Sequence, residues 1–258
     1  MKNHGTRGIL FDLDGVLYVD NTPIEGAVDA LKRIRKAGIP CRFLTNTSTM
    51  SVKSLQEKIS SVGFAVGKEE IISAPQAAFL FLSKKPDPVC RFLLADDVKK
   101  DFAGFRQSDT NPEYIVIGDI GNAWSYQLLN EVFNNLMNGA KLIAIHKNRF
   151  WQTGQGLQMD IGGFIAGLEY ASGANTMIIG KPSVEFFKIA LDDIGISPIE
   201  VVMVGDDIDS DIGGAHEAGI HGALVKTGKF RQPYFEKSAI KPDWIIDSVA
   251  DLPRLLGI

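Results

Sequence analysis

A short apolar run, Val201–Val204, leads through Gly205 into Asp206, Asp207, Asp209 and Asp211, four aspartates within six positions. Carboxylates this crowded repel one another unless a cation neutralises them or some are protonated. Hard divalent cations prefer such oxygen donors, and Mg²⁺ takes one or two carboxylates together with water and substrate phosphate. The spacing is not that of an EF-hand, because no glutamate closes the run at its twelfth position. Asp209 and Asp207 also suit the first turn of a helix, which leaves Asp206 and Asp211 as the candidates for chemistry. A second acidic pair, Asp12 and Asp14, closes the run Gly8–Leu13. Residues i and i+2 of a strand point the same way, so this pair also calls for a cation or a proton. Two solvated turn residues before Gly15 are the plain alternative.

Two further clusters gain meaning from that company. Thr45, Asn46, Thr47 and Ser48 follow the apolar run Cys41–Leu44. Hydroxyl, amide and backbone N–H groups at a strand-to-helix junction suit a phosphate oxygen, and a simple N-cap is the other reading. Lys181 follows Met177–Ile179 and Gly180, with Pro182 where a helix would begin. Alone it would be a solvated lysine; beside carboxylates and a phosphate dianion it would balance charge.

These residues need strand ends to hold them. Apolar runs at Gly8–Leu13, Cys41–Leu44, Tyr114–Ile117, Lys141–Ile145, Met177–Ile179, Val201–Val204, His221–Val225 and Trp244–Ile246 alternate with helical spacing at Ala27–Ala37, Val52–Val62, Gln127–Met137, Phe164–Ala171, Val184–Ile194 and Ile212–Ala218. Such alternation predicts an α/β fold of βαβ units around a parallel sheet. Open α/β sheets place ligands at the carboxyl ends of their strands, where all four clusters fall. Pro86-Asp87-Pro88 and Ser172-Gly173-Ala174 punctuate the chain. The expected division is a core of residues 1–84 and 177–258 carrying an inserted α/β domain of residues 85–176.

The 258 residues are 45 % hydrophobic and 22 % charged, which excludes a disordered chain. With 27 Lys+Arg against 31 Asp+Glu the net charge is −4, without the basic surplus of a general nucleic-acid binder. No apolar run approaches the roughly 20 residues of a membrane span, and Asp12 and Asp14 interrupt any leader-like stretch. Cys41 and Cys90 form no disulfide framework, and a reducing cytoplasm is the expected location. His216 and His221, five apart, do not share a helix face. His146, followed by Lys147, Asn148 and Arg149, is either a substrate contact or a strand-end residue.

Asp12-x-Asp14-Gly15, Thr45-Asn46, Lys181-Pro182 and Gly205-Asp206 with Asp211 resemble, in order, the four motifs of the haloacid dehalogenase (HAD) superfamily. The segment between the second and third motifs resembles the type C2 α/β cap of subclass IIA. Ser125–Asn130, Leu168–Ala171 and Lys226–Phe230 are similar to the subgroup of phospholysine phosphohistidine inorganic pyrophosphate phosphatase. The loop His146–Arg149 departs from the Asn-x-Asp pattern of the pyridoxal- and nucleotide-phosphatase branches. The resemblance implies a Rossmann-like core with a cap domain, and a Mg²⁺-dependent phosphatase acting on a phosphorylated small molecule. It implies Asp12 as nucleophile, Asp14 as acid and base, and Thr45, Asn46 and Lys181 as phosphoryl-binding groups. The implied metal ligands are the Asp12 side chain, the Asp14 backbone carbonyl and Asp206, with Asp211 on a metal-bound water. Homodimerisation through the cap is a further expectation. A dehalogenase, a phosphotransferase or a non-catalytic phosphoryl-ligand-binding protein are the alternatives.

Overall fold

A computed structural model describes residues 5–153 and 156–258. It contains two compact units. The first is built from the chain up to Thr45, Lys53–Ile72 and Lys181–Ile258, and the second from Asn46–Val52 and Ser73–Gly180.

The first unit contains a six-stranded sheet in the order Trp244–Ile246, His221–Val225, Val201–Gly205, Gly8–Asp12, Cys41–Thr45, Ile71–Ser73. The pairings from Trp244–Ile246 across to Cys41–Thr45 are all parallel. Gly8–Asp12 and Val201–Gly205 are buried along their whole lengths, as strands covered on both faces must be, which is why they read as unbroken apolar runs. Phe11 stacks on Phe43 of the next strand with ring centroids 5.6 Å apart. Helix Ala27–Lys36 buries Ala27, Ala30, Leu31 and Ile34, the 3–4 spacing of a single apolar stripe. Helix Val184–Ile194 ends at Gly195, whose φ of 70° provides the left-handed cap.

The second unit has its own five-stranded parallel sheet, ordered Met177–Ile178, Lys141–Ala144, Tyr114–Ile117, Val89–Leu93, Arg106–Gln107. Its core includes Leu93, Ile115, Ile117, Val132, Leu136, Leu142, Ile161 and Ile165. Helix Tyr126–Met137 is started by Ser125, whose hydroxyl accepts the Leu128 N–H at 3.1 Å. A hairpin pairs Phe150–Thr153 with Gly156–Met159.

The units part at different points from the expected 84/85 and 176/177. Helix Ala74–Ser83 belongs to the second unit, because Phe79 packs edge-on against Phe102 and Phe105 there, at 6.0 and 5.4 Å. Met177–Ile178 pairs with Ile143–Ala144 in the second sheet. Apolar patterning cannot show which sheet a strand joins. The helical spacing at 212–218 also resolves differently, into a π-helical turn Ile208–Gly213 followed by a short α-helix Gly214–Glu217. Among the described residues no helix is long and apolar enough to cross a membrane. Cys41 and Cys90 are both buried free thiols.

Candidate active site

Parallel pairing sets Phe11 against Val204, so Asp12 and Asp206 leave neighbouring strands side by side at their carboxyl ends. Asp12, Asp206 and Asp211 are 6 %, 2 % and 1 % exposed. One carboxylate oxygen from each lies within 4.8 Å of the others. Lys181 joins them from the segment leading into helix Val184–Ile194: its Nζ is 2.6 Å from Asp12 Oδ1 and 2.7 Å from Asp211 Oδ1.

The loop after Val201–Gly205 is organised by its own aspartates. Asp211 Oδ2 accepts the N–H groups of Asp206 and Asp207, each at 3.1 Å. Asp207 accepts those of Asp209 and Ser210 and so caps the π-helical turn. Asp209 accepts the Tyr234 hydroxyl. The helix-start reading therefore fits Asp207. Asp211 divides its two oxygens between Lys181 and the loop backbone.

Asp206 is held from the other side by a segment whose role sequence reasoning missed. Its Oδ2 accepts the Lys229 N–H at 2.7 Å. Gly15 and Gly228 close around the same oxygen: a Cβ at either would fall 2.0 Å from it, and their φ values are +91° and +60°. Only glycine satisfies both demands. The Thr227 hydroxyl ties the two turns by donating to the Gly15 carbonyl at 2.5 Å. The signal available in the sequence was Thr227-Gly228, one residue beyond the apolar run His221–Val225, a strand-end position like those of the other clusters.

Burial dominates the electrostatics. It raises the Asp12 carboxyl above its usual range despite the pull of Lys181. Asp206 is pushed up to about 6 by burial and by the charge of Asp211, against the Lys229 N–H. Asp211 is likewise pushed up to about 6 by burial and by Asp12, against Lys181. Burial works against the Lys181 charge, but Asp12 and Asp211 outweigh it and hold the ammonium more firmly protonated than usual. When all three are ionised, the buried carboxylates against one ammonium leave two negative charges uncompensated. Asp206 Oδ1 is buried with no hydrogen-bond partner. An all-oxygen cluster with an orphaned carboxylate oxygen and two surplus negative charges fits a hard divalent cation such as Mg²⁺.

The other candidates lie as follows. Asp14 is half-exposed, with Oδ1 3.7 Å from Lys58 Nζ. Thr45 ends the strand beside Asp12, is 3 % exposed, and follows Leu44, the register partner of Asp12. Asn46 is grouped with the second unit, where its Oδ1 lies against Gly180. His146 is buried, with Nδ1 3.8 Å from Asp160 Oδ2, and burial lowers its proton affinity. His216 and His221, set apart by the helix-spacing argument, converge on one carboxylate: each ring sits 3.0 Å from Asp243.

Fold and site together define a class. The family model described as haloacid dehalogenase-like hydrolase matches residues 9–105, and one described as HAD-hydrolase-like matches residues 178–252. The chain belongs to the haloacid dehalogenase-like hydrolase family. Human haloacid dehalogenase-like hydrolase domain-containing protein 2 is 40 % identical over 232 residues, 90 % of this chain and 88 % of that protein. Human phospholysine phosphohistidine inorganic pyrophosphate phosphatase is 38 % identical over 259 aligned residues, 98 % of this chain and 94 % of that one. Among solved structures, p-nitrophenyl phosphatase from Archaeoglobus fulgidus superposes with a TM-score of 0.87 at 28 % identity, covering 97 % and 99 % of the two chains. NagD from Escherichia coli superposes with a TM-score of 0.84 at 27 % identity, covering 95 % and 98 %.

Proposed function

We propose that this enzyme is a Mg²⁺-dependent phosphatase that hydrolyses a phosphorylated small molecule through an aspartyl-phosphate on Asp12. The substrate class is a phosphate monoester, a pyrophosphate or a phosphoramidate. One arrangement carries the reading: a buried carboxylate at a strand end, ion-paired with Lys181, within 4.8 Å of two further buried carboxylates. The names of its relatives, a pyrophosphate phosphatase and a p-nitrophenyl phosphatase, support the same chemistry.

Asp12, Asp206 and the Asp14 main-chain carbonyl would hold Mg²⁺, which when bound supplies charge neutralisation at the transferring phosphoryl oxygens. Asp12 attacks phosphorus in line, its new oxygen–phosphorus bond replacing the bond to the leaving oxygen or nitrogen. Asp14 gives its proton to that leaving atom. In the second displacement Asp14, now a carboxylate, takes a proton from the attacking water, and the Asp12–phosphoryl bond breaks to release phosphate. Lys181 holds the Asp12 carboxylate and adds positive charge next to the phosphoryl group. Thr45 and Asn46 donate hydrogen bonds to that group. Asp211 keeps Lys181 and the Asp206 loop in place.

The test is phosphate release from 4-nitrophenyl phosphate, pyrophosphate, phospholysine and sugar phosphates, with Mg²⁺ and after EDTA. Turnover is expected only with Mg²⁺ and is expected to return when the ion is restored. Asp12→Asn should fold and lose at least about a thousandfold in rate. Undiminished turnover by metal-free protein would overturn the reading, as would a tenth of the parent rate in Asp12→Asn.

A further inference from the structure

Lysine 58 occupies a place that helix patterning reserves for an apolar side chain. Helix Val52–Ser61 buries Leu55 and Ile59, and Val62 follows in the same stripe at 7 % exposed. Residues three and four apart share a helix face, so position 58 falls on that inward stripe. The side chain is accordingly only 27 % exposed.

Two contacts occupy its ammonium. Nζ lies 4.9 Å from the centroid of the Tyr18 ring and 3.7 Å from Asp14 Oδ1. Tyr18 is fully buried, so its ring is a fixed floor. Backbone joins the same two partners: Asp14 and Tyr18 form an isolated bridge, and the Gly15 N–H donates to the Tyr18 carbonyl at 2.7 Å. The result is a closed triangle of a rigid turn, an aromatic face and one cation, with the half-exposed Asp14 carboxylate at its open corner.

We propose that Lys58 is a positioning residue for Asp14. Seated on the Tyr18 ring, its ammonium restricts the Asp14 carboxyl group to one arrangement within the turn. This rests on the reading of Asp14 as the proton donor and acceptor. The ammonium faces Oδ1, which leaves Oδ2 of the Asp14 carboxyl to carry the proton; a partly solvated contact of this length adds little to stability, so its consequence is kinetic. A displaced catalytic group can cost up to about a hundredfold in rate. Lys58 is needed most where proton delivery limits the first displacement, that is, with a basic leaving group.

Single-turnover release of phenol from phenyl phosphate and of nitrophenol from 4-nitrophenyl phosphate separates these cases. Parent enzyme, Asp14→Asn, Lys58→Met and Lys58→Arg are compared with Mg²⁺ present. Lys58→Met is expected to slow phenol release about tenfold, to change nitrophenol release less than about twofold and to leave KM for both unchanged. Lys58→Arg should recover most of the loss, because a guanidinium can also sit over an aromatic ring and reach a carboxylate. The urea midpoint of Lys58→Met should match the parent. If Asp14→Asn slows both esters equally, the acid role of Asp14 fails and this inference with it. If Asp14→Asn discriminates and Lys58→Met does not, Lys58 has no positioning role although the acid role of Asp14 stands. A raised KM with unchanged single-turnover rates would assign Lys58 to substrate binding and overturn the inference.

Discussion

The Lys181 ammonium lies 2.6 Å from Asp12 Oδ1, joining residues 169 apart in the chain. Both groups are almost wholly buried, at 4 % and 8 % side-chain exposure, and Asp211 completes the triad at 2.7 Å from the same nitrogen. Removing one partner of a buried ion pair leaves the other uncompensated and costs about 3–5 kcal/mol. Lys181→Met should therefore lower the urea-derived stability of metal-free protein by that order. Adding Asp12→Asn should restore part of the loss, because the orphaned charge is then gone. Equal stabilities for Lys181→Met and the double variant would show that the pair is already compensated by other groups.

Glycine 228 offers a test of how Asp206 is held. Gly228→Ala puts a methyl 2.0 Å from Asp206 Oδ2, whereas Gly38→Ala, at a similar φ of +76°, has nothing within 4 Å of the new carbon. Both changes carry a left-handed backbone cost of about 1 kcal/mol. Only Gly228→Ala should also weaken Mg²⁺ binding, by at least about tenfold, since a buried carboxylate cannot be displaced without losing its Lys229 N–H bond. Calorimetric titration of Mg²⁺ into both variants decides it, and equal affinities would refute the role given to Gly228.

Metal-free protein should lose stability as pH rises through the range where the buried carboxyls ionise. Asp206 and Asp211 are pushed from 3.8 up to about 6 in the fold, by burial first. A raised carboxyl in the folded state binds its proton more tightly than in the unfolded chain. Folding stability then falls as pH climbs from about 4 to about 6 and is level above that. Mg²⁺ binds the ionised form, so the rise in melting temperature on adding it should be larger at pH 7 than at pH 5. An equal rise at both values would mean that these carboxyls do not hold the ion.

We also propose that two copies pair through the inserted unit. Helices Tyr126–Met137 and Gly162–Ser172 enclose a groove lined by Tyr126, Leu129, Phe133, Phe164 and Leu168. Tyr126 is 84 % exposed and belongs to this contiguous apolar groove, the kind of patch that marks an interaction surface. Light scattering should give twice the monomer mass at micromolar concentration, and Leu129→Asp with Phe133→Asp should halve it. A monomeric parent protein would dispose of the pairing.

Much of this protein was legible along the chain because its decisive signals are local. A parallel strand buried on both faces writes an unbroken apolar run, and the residue that ends it must stand at the sheet's carboxyl edge. That logic located Asp12, Thr45 and Asp206 and the α/β architecture around them. The stripe Ala27, Ala30, Leu31 and Ile34 was equally plain, since helix periodicity depends on near neighbours. What the tertiary structure alone decided involves partners far apart in sequence. Residues 177–178 extend the second sheet because of pairing with 143–144, which no local pattern encodes. Lys229 reaches Asp206 through a backbone N–H, a donor every residue but proline carries, so its side chain announced nothing. The helix-spacing argument separated His216 from His221, yet Asp243 joins them from another segment. Composition and spacing can mark a carboxylate as costly to bury, but which cation answers it depends on three-dimensional distance. Charge balance and motif order pointed to Lys181, but its contacts of 2.6 and 2.7 Å with Asp12 and Asp211, and the pairing of Lys58 with Asp14, came only with the folded chain.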